Sequence, residues 1–174
     1  MIAKRCLLVL AIMGLTFLFI PPAHPALELE IETLRGLTEM CVLVEYLDKE
    51  IKRELPFDEN QIRVDVELKL RTAGIKVLSK DQWRITSGMP YLYVILDIRR
   101  LPNMPMFYFS IDIHLVQLVY LERNHNILAP SRTWICAGMG CAEKNNTSKI
   151  RNHLKDTLDI FINDYLSVNP KGGN

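Results

Sequence analysis

Between Phe107 and Leu115 the chain alternates without a fault: Phe107, Phe109, Ile111, Ile113 and Leu115 take turns with Tyr108, Ser110, Asp112 and His114. A period of two means an extended strand with one face on a core and the other in water. The run reads on to Leu121, long for one strand, so a bulge or strong bend is expected. The C-terminal segment supplies the complementary surface. Ile150, Leu154, Leu158, Phe161, Ile162, Tyr165 and Leu166 recur at helical spacing, with Arg151, Lys155, Asp159 and Asn163 opposite. Thr147 or Ser148 is the expected cap, and Asn169-Pro170 the stop. A half-wet strand and a one-sided helix bury their apolar surfaces on each other, so the chain is a layered α/β protein.

The other segments fit around this pair. Met40 to Val44 is an unbroken apolar run of strand length, expected to be buried on both faces. Asp58 with Gln61 reads as a capping box opening a helix, and Phe57 with Ile62 as its hydrophobic staple. Ile62, Val66, Leu70 and Ala73 continue that helix to Gly74, and Ile75 to Leu78 reads as a short strand. Strand, helix and strand in this order predict a right-handed crossover with parallel strands. Lys80 to Pro90 reads as a polar link. Tyr91 to Ile98 is a strand, Leu101-Pro102-Asn103-Met104-Pro105 a turn, and Ile127 to Cys136 a strand that Pro130 places at an edge or bulge. Residues 27–36 fit a strand or one helical turn. The expected architecture is a two-layer α/β (α+β) sandwich. Its mixed, mainly antiparallel sheet has about five strands, with two helices on one face.

The sequence has 174 residues, 49% apolar and 24% charged, which suits one folded domain; 8 Gly and 9 Pro exclude a collagen-like or low-complexity chain. Residues 1–26 read as a signal peptide or an uncleaved N-terminal anchor, and residues 27–174 as the single domain. Lys4 and Arg5 precede an apolar run from Cys6 to Ile20, ended by Pro21, Pro22 and Pro25. That run is short for a membrane span, which needs about 20 residues. Cleavage would follow Ala23 or Ala26, although neither site has the small-x-small pattern. Export to the periplasm or outside the cell is therefore expected, with membrane attachment only if the segment stays uncleaved. Without residues 1–26 the domain keeps 19 basic and 20 acidic residues. Near-neutrality with no basic cluster argues against nucleic-acid binding and against anionic lipid as partner.

The stretches RVDVELKLRTAGIKVL (63–78) and FINDYLSVNP (161–170) resemble those of an uncharacterised group of small exported bacterial α/β proteins. The resemblance spans most of the domain and implies a bacterial envelope setting. It carries no activity and no catalytic residue onto this chain.

Candidate chemistry is sparse. Ser110, Asp112 and His114 share one strand face and are the nearest thing to a hydrolase constellation. Neighbouring members of that row stand about 6.6 Å apart, with the acid between the other two, whereas a triad needs hydrogen-bond contact through the imidazole. Export makes disulfides available, and Cys136 with Cys141, spaced by Ala-Gly-Met-Gly, is a possible small-loop pair. Cys41 reads as a buried core thiol. A zinc site of Cys136, Cys141 and His125 lacks tight ligand pairs, and no nucleotide or phosphate loop occurs. No metal and no cofactor are expected.

Two features suit a partner. One is the Met- and Pro-rich set Met89, Pro90, Leu101, Pro102, Met104, Pro105 and Met106. The other is the wet sheet face, where Tyr91, Tyr93, Tyr108, Val116, Leu118 and Tyr120 make an apolar, tyrosine-bearing surface. With both helices on the other side, that face needs cover from the chain itself, a second subunit or a ligand. The functional expectation is a non-catalytic module that binds a protein partner or forms a homo-oligomer, with Tyr91, Tyr93, Tyr108, Tyr120, Met104 and Met106 on its binding surface. A hydrolase using Asp112 and His114 is the alternative.

Overall fold

The computed structural model describes residues 28–170, so the expectations for residues 1–26 lie outside the described residues. The elements in chain order are α1 (Glu28–Glu32), β1 (Glu39–Val44), α2 (Lys49–Glu54), α3 (Glu59–Thr72), β2 (Lys76–Val77), α4 (Lys80–Ile85), β3 (Tyr91–Arg100), β4 (Met106–Leu121), β5 (Asn124–Glu143) and α5 (Ser148–Val168). One five-stranded sheet has the order β2-β1-β3-β4-β5. β1 is parallel to both its neighbours, and β3, β4 and β5 form an antiparallel meander. The fold is the mixed α/β sandwich that the periodicities predict. No helix among the described residues is long and apolar enough to cross a membrane.

The core lies between the inner sheet face and helices α3 and α5. Phe107, Phe109, Ile111, Ile113 and Leu115 of β4 are all buried there beside Leu92, Val94, Leu96 and Ile98 of β3. α3 contributes Ile62, Val66 and Leu70 to it. α5 contributes Ile150, Leu154, Thr157, Leu158, Phe161, Ile162, Tyr165 and Val168. Each large apolar side chain so placed stabilises the fold by roughly 1.5–3 kcal/mol. Trp134 of β5 is fully buried, meets Phe161 edge to face at 5.0 Å, and donates its indole N–H to Asp164 Oδ2 at 2.9 Å.

Chirality sends the two crossovers to opposite sides. β1→α3→β2 steps outward in the sheet, and β2→α4→β3 steps back over β1. Right-handed connections running in opposite directions put their helices on opposite faces. Accordingly Trp83 of α4 packs edge to face on Tyr91, an outer-face residue, at 5.5 Å. The expectation of a polar link over Lys80 to Pro90 is thereby corrected in its first half: Lys80–Ile85 is a helix that covers one end of the outer face, and only the residues after it form the link.

Capping also differs from the expectation. Asp58 accepts from Asn60 N, but Gln61 turns to Asp65, so no capping box closes at α3. The box forms instead at α4, between Ser79 and Gln82. Thr147 occupies the N-cap of α5 without a side-chain hydrogen bond. At its other end Asn169 donates to Leu34 O and Tyr165 O and accepts from Gly36 N, while Tyr165 donates its hydroxyl to Leu37 O. Of residues 27–36, left open between strand and helix, the described ones hold α1 and a loop clamped to the end of α5.

The expected bulge falls on β5. Leu115 pairs with Trp134 and Val116 with Arg132, leaving Thr133 as the extra residue. Beyond it Gly138 and Gly140 face inward because helix and ring need the space. A Cβ on Gly138 would collide with His153 Nε2, and one on Gly140 would stand 2.7 Å from Phe109 Cζ. Gly138→Ala is therefore expected to destabilise the protein by about 1–3 kcal/mol, as overpacking does. Adding His153→Ala should recover part of the loss, measured by urea unfolding.

Candidate interaction surface

The outer face is built by cross-strand rows read directly from the register. Tyr93, His114 and Ile135 form one row across β3, β4 and β5. The rows beside it are Ile95, Asp112 and Ala137, then Asp97, Ser110 and Met139, then Arg99, Tyr108 and Cys141. On the other side Tyr91 and Val116 lead to Arg132, and the β4–β5 ribbon continues past β3 with Leu118 beside Pro130 and Tyr120 beside Leu128. Trp83, Tyr91 and Tyr93 stack edge to face in series under α4, with centroids 5.5 and 6.3 Å apart. Away from that end, Met139 is 64% exposed, Tyr120 66%, Leu128 47% and Ile135 37%.

This arrangement divides the predicted binding residues. Tyr91 and Tyr93 are half-buried in the aromatic stack. Tyr108 lies at the far end, its hydroxyl 3.9 Å from Met139 Sδ. Tyr120 stands on the projecting ribbon, about 40 Å from Tyr108 along β4 at roughly 3.3 Å per residue. The Met- and Pro-rich set is not one patch. Met89 and Pro90 precede β3, whereas Met104 lies in the turn after it and Met106 opens β4, so the ten residues of β3 separate them. Ile135 and Met139 were missed as surface residues because Ala137 to Gly140 read as a flexible spacer. The alternation Ile135, Ala137, Met139 was the available signal.

Ser110, Asp112 and His114 do occupy one face. However, each is directly opposite residues of β3 and β5 rather than one another. His114 is only 4% exposed, and its Nδ1 is buried without a hydrogen-bond partner, so Asp112 does not orient the ring. Burial, helped by the Arg132 charge, lowers the His114 pKa, against a weaker opposing pull from Asp112. The imidazole is a packed group at the centre of the face, and its burial disfavours the charged form.

The cysteine pairing is corrected by strand parity. Cys136 points into the core and Cys141 outward, five positions on, which is about 16 Å along a strand. A disulfide requires Cα atoms within about 7 Å. Cys41, Cys136 and Cys141 are free thiols, and burial pushes Cys136 up to about 11, aided by the Asp164 charge. Cys41 is buried as expected but beside Tyr91, on the outer side of the sheet, where burial likewise raises its pKa. His125 sits near the ribbon tip, remote in register from Cys136 and Cys141. Among the described residues no three His, Cys, Asp or Glu side chains gather to hold a metal. Five clefts of about 430–530 Å³ among the described residues, one of them between α4 and the starts of β1 and β2, have neither histidine nor cysteine in their walls. No protein-family model and no curated protein matches the chain.

A depressed histidine pKa has a defined sign. The unfolded chain binds the proton near pH 6.5, while the folded chain resists it, so stability falls as pH drops below about 6.5 toward the lowered folded value. The thermal midpoint of the wild type should fall further than that of His114→Leu between pH 6.5 and 5. Parallel pH profiles of the two proteins would show that His114 is not the titrating group.

Proposed function

We propose that this protein is a non-catalytic exported domain that docks a protein partner through the outer face of β3, β4 and β5. One observation carries the docking role. Among the described residues α4 covers only the Tyr91 end of the outer face, and no helix lies over the β4–β5 half, where Ile135, Met139, Tyr120 and Leu128 meet solvent. Ile135 and Met139 form one exposed apolar group on this face and Tyr120 with Leu128 a second on the ribbon, and exposed apolar groups of this kind mark association surfaces. Tyrosines and methionine are side chains that such surfaces favour. Export is supported by the cationic start and short apolar run of residues 1–20, and the resemblance to small envelope proteins agrees with it.

Photo-crosslinking in the organism of origin tests the docking role. A cross-linker at Met139 or Tyr120 should yield one discrete protein adduct. The same group at Leu68, 61% exposed on α3 and therefore on the opposite side, should not. Equal labelling from both sides would remove the proposal. Export predicts a mature N-terminus at His24 or Leu27 in the fraction outside the cytoplasm, read by intact-mass measurement; a cytoplasmic protein starting at Met1 would contradict it.

A further inference from the structure

The sheet has two very different edges. β2 is two residues long, whereas β5 has 20 and is the last strand of the sheet. Along the outer side of β5, Thr133 O accepts from Thr33 Oγ1 at 3.0 Å, and Glu143 O accepts from Asn146 N at 3.0 Å. Between these two points, from Trp134 to Ala142, the outward backbone groups have no partner among the described residues. Natural sheets protect such an edge with lysine, proline, inward charge or a bulge. Here Pro130, Arg132 and the Thr133 bulge all precede the open run. Within it the sequence WICAGMGCA carries no charge and no proline.

We propose that a second copy of this chain pairs antiparallel with the open edge of β5, about a two-fold axis at Gly138, joining two sheets into one. The choice of occupant follows from self-complementarity. Gly138 is the midpoint of the open run, so every residue from Trp134 to Ala142 meets its symmetry counterpart. A two-fold perpendicular to the sheet keeps outer face with outer face. It sets Met139 opposite the partner's Ala137, and Ile135 opposite the partner's Cys141. At the ends it brings Glu143 of each copy to Thr133 of the other, next to Arg132. Arg132 and Glu143 are both exposed and belong to none of the ion pairs among the described residues. The dimer therefore gains the same opposite-charge contact twice, and cross-strand pairs of that kind favour one register. The inference goes beyond the docking role, since it uses the edge of the sheet and leaves the face free.

Sedimentation of the purified domain over a wide concentration range, with three sets of variants, tests it. The wild type should form a dimer that dissociates on dilution. Arg132→Glu and Glu143→Arg should each weaken it several-fold, and the two together should restore it. Ile135→Cys should oxidise to a disulfide-linked dimer, lost when Cys141→Ser is added. Circular dichroism confirms that each variant is folded. A wild type monomeric at several hundred micromolar, a dimer indifferent to the charge reversals, or backbone amides of 134–142 already slow to exchange in a monomer would overturn the proposal. The last result would mean that the chain covers its own edge. A monomer that still cross-links a partner through Met139 ends this inference and leaves the docking role standing.

Discussion

The contact between α5 and the inner face of β4 and β5 is the constraint on which the rest of the molecule depends. It holds the largest side chains of the core, Trp134, Phe109 and Phe161, in one layer. Space for them comes from the opposing strand: Gly138 lies under His153, and Gly140 under the Phe109 ring. Trp134 anchors the helix twice, by its edge-to-face contact with Phe161 and by its N–H on Asp164. With the inner face committed in this way, strand alternation leaves Ser110, Asp112, Ala137 and Met139 no choice but the outer one. What the outer face offers is the complement of what the core requires.

The same alternation explains how far the sequence could be read. Phe107 to Leu115 and Ile150 to Leu166 carry strong single periods, and both elements lie where those periods place them. The layered architecture and the one-sided packing of α3 and α5 follow. Local signals were less dependable because they compete with tertiary contacts. Gln61 had the spacing of a capping box and pairs with Asp65 instead, whereas Ser79 and Gln82 close one in a segment that looked merely polar. The glycines of β5 hid a strand, since in isolation Gly138 and Gly140 suggest looseness. Only with His153 and Phe109 in position does their role as clearance become visible.

The candidate surface was half legible. The wet face of β4 could be read from period two, and its tyrosines with it. The position of α4 could not be read, although the handedness of successive crossovers would have placed it opposite α3 once the order of β2, β1 and β3 was known. Sequence cannot supply that order, because β2 has two residues and no periodicity of its own. The parity of Cys136 and Cys141 follows from a strand extending to Glu143 rather than stopping at Cys136. A five-residue step in an extended chain reverses direction, and so one thiol lies in the core and the other outside.

Asn169 and Tyr165 hold Leu34, Gly36 and Leu37, so the first described helix is secured by nearly the last described residues. A chain cut before Tyr165 would lose the seat of α1 together with the end of its last helix, so two segments more than 100 residues apart stand or fall as one unit.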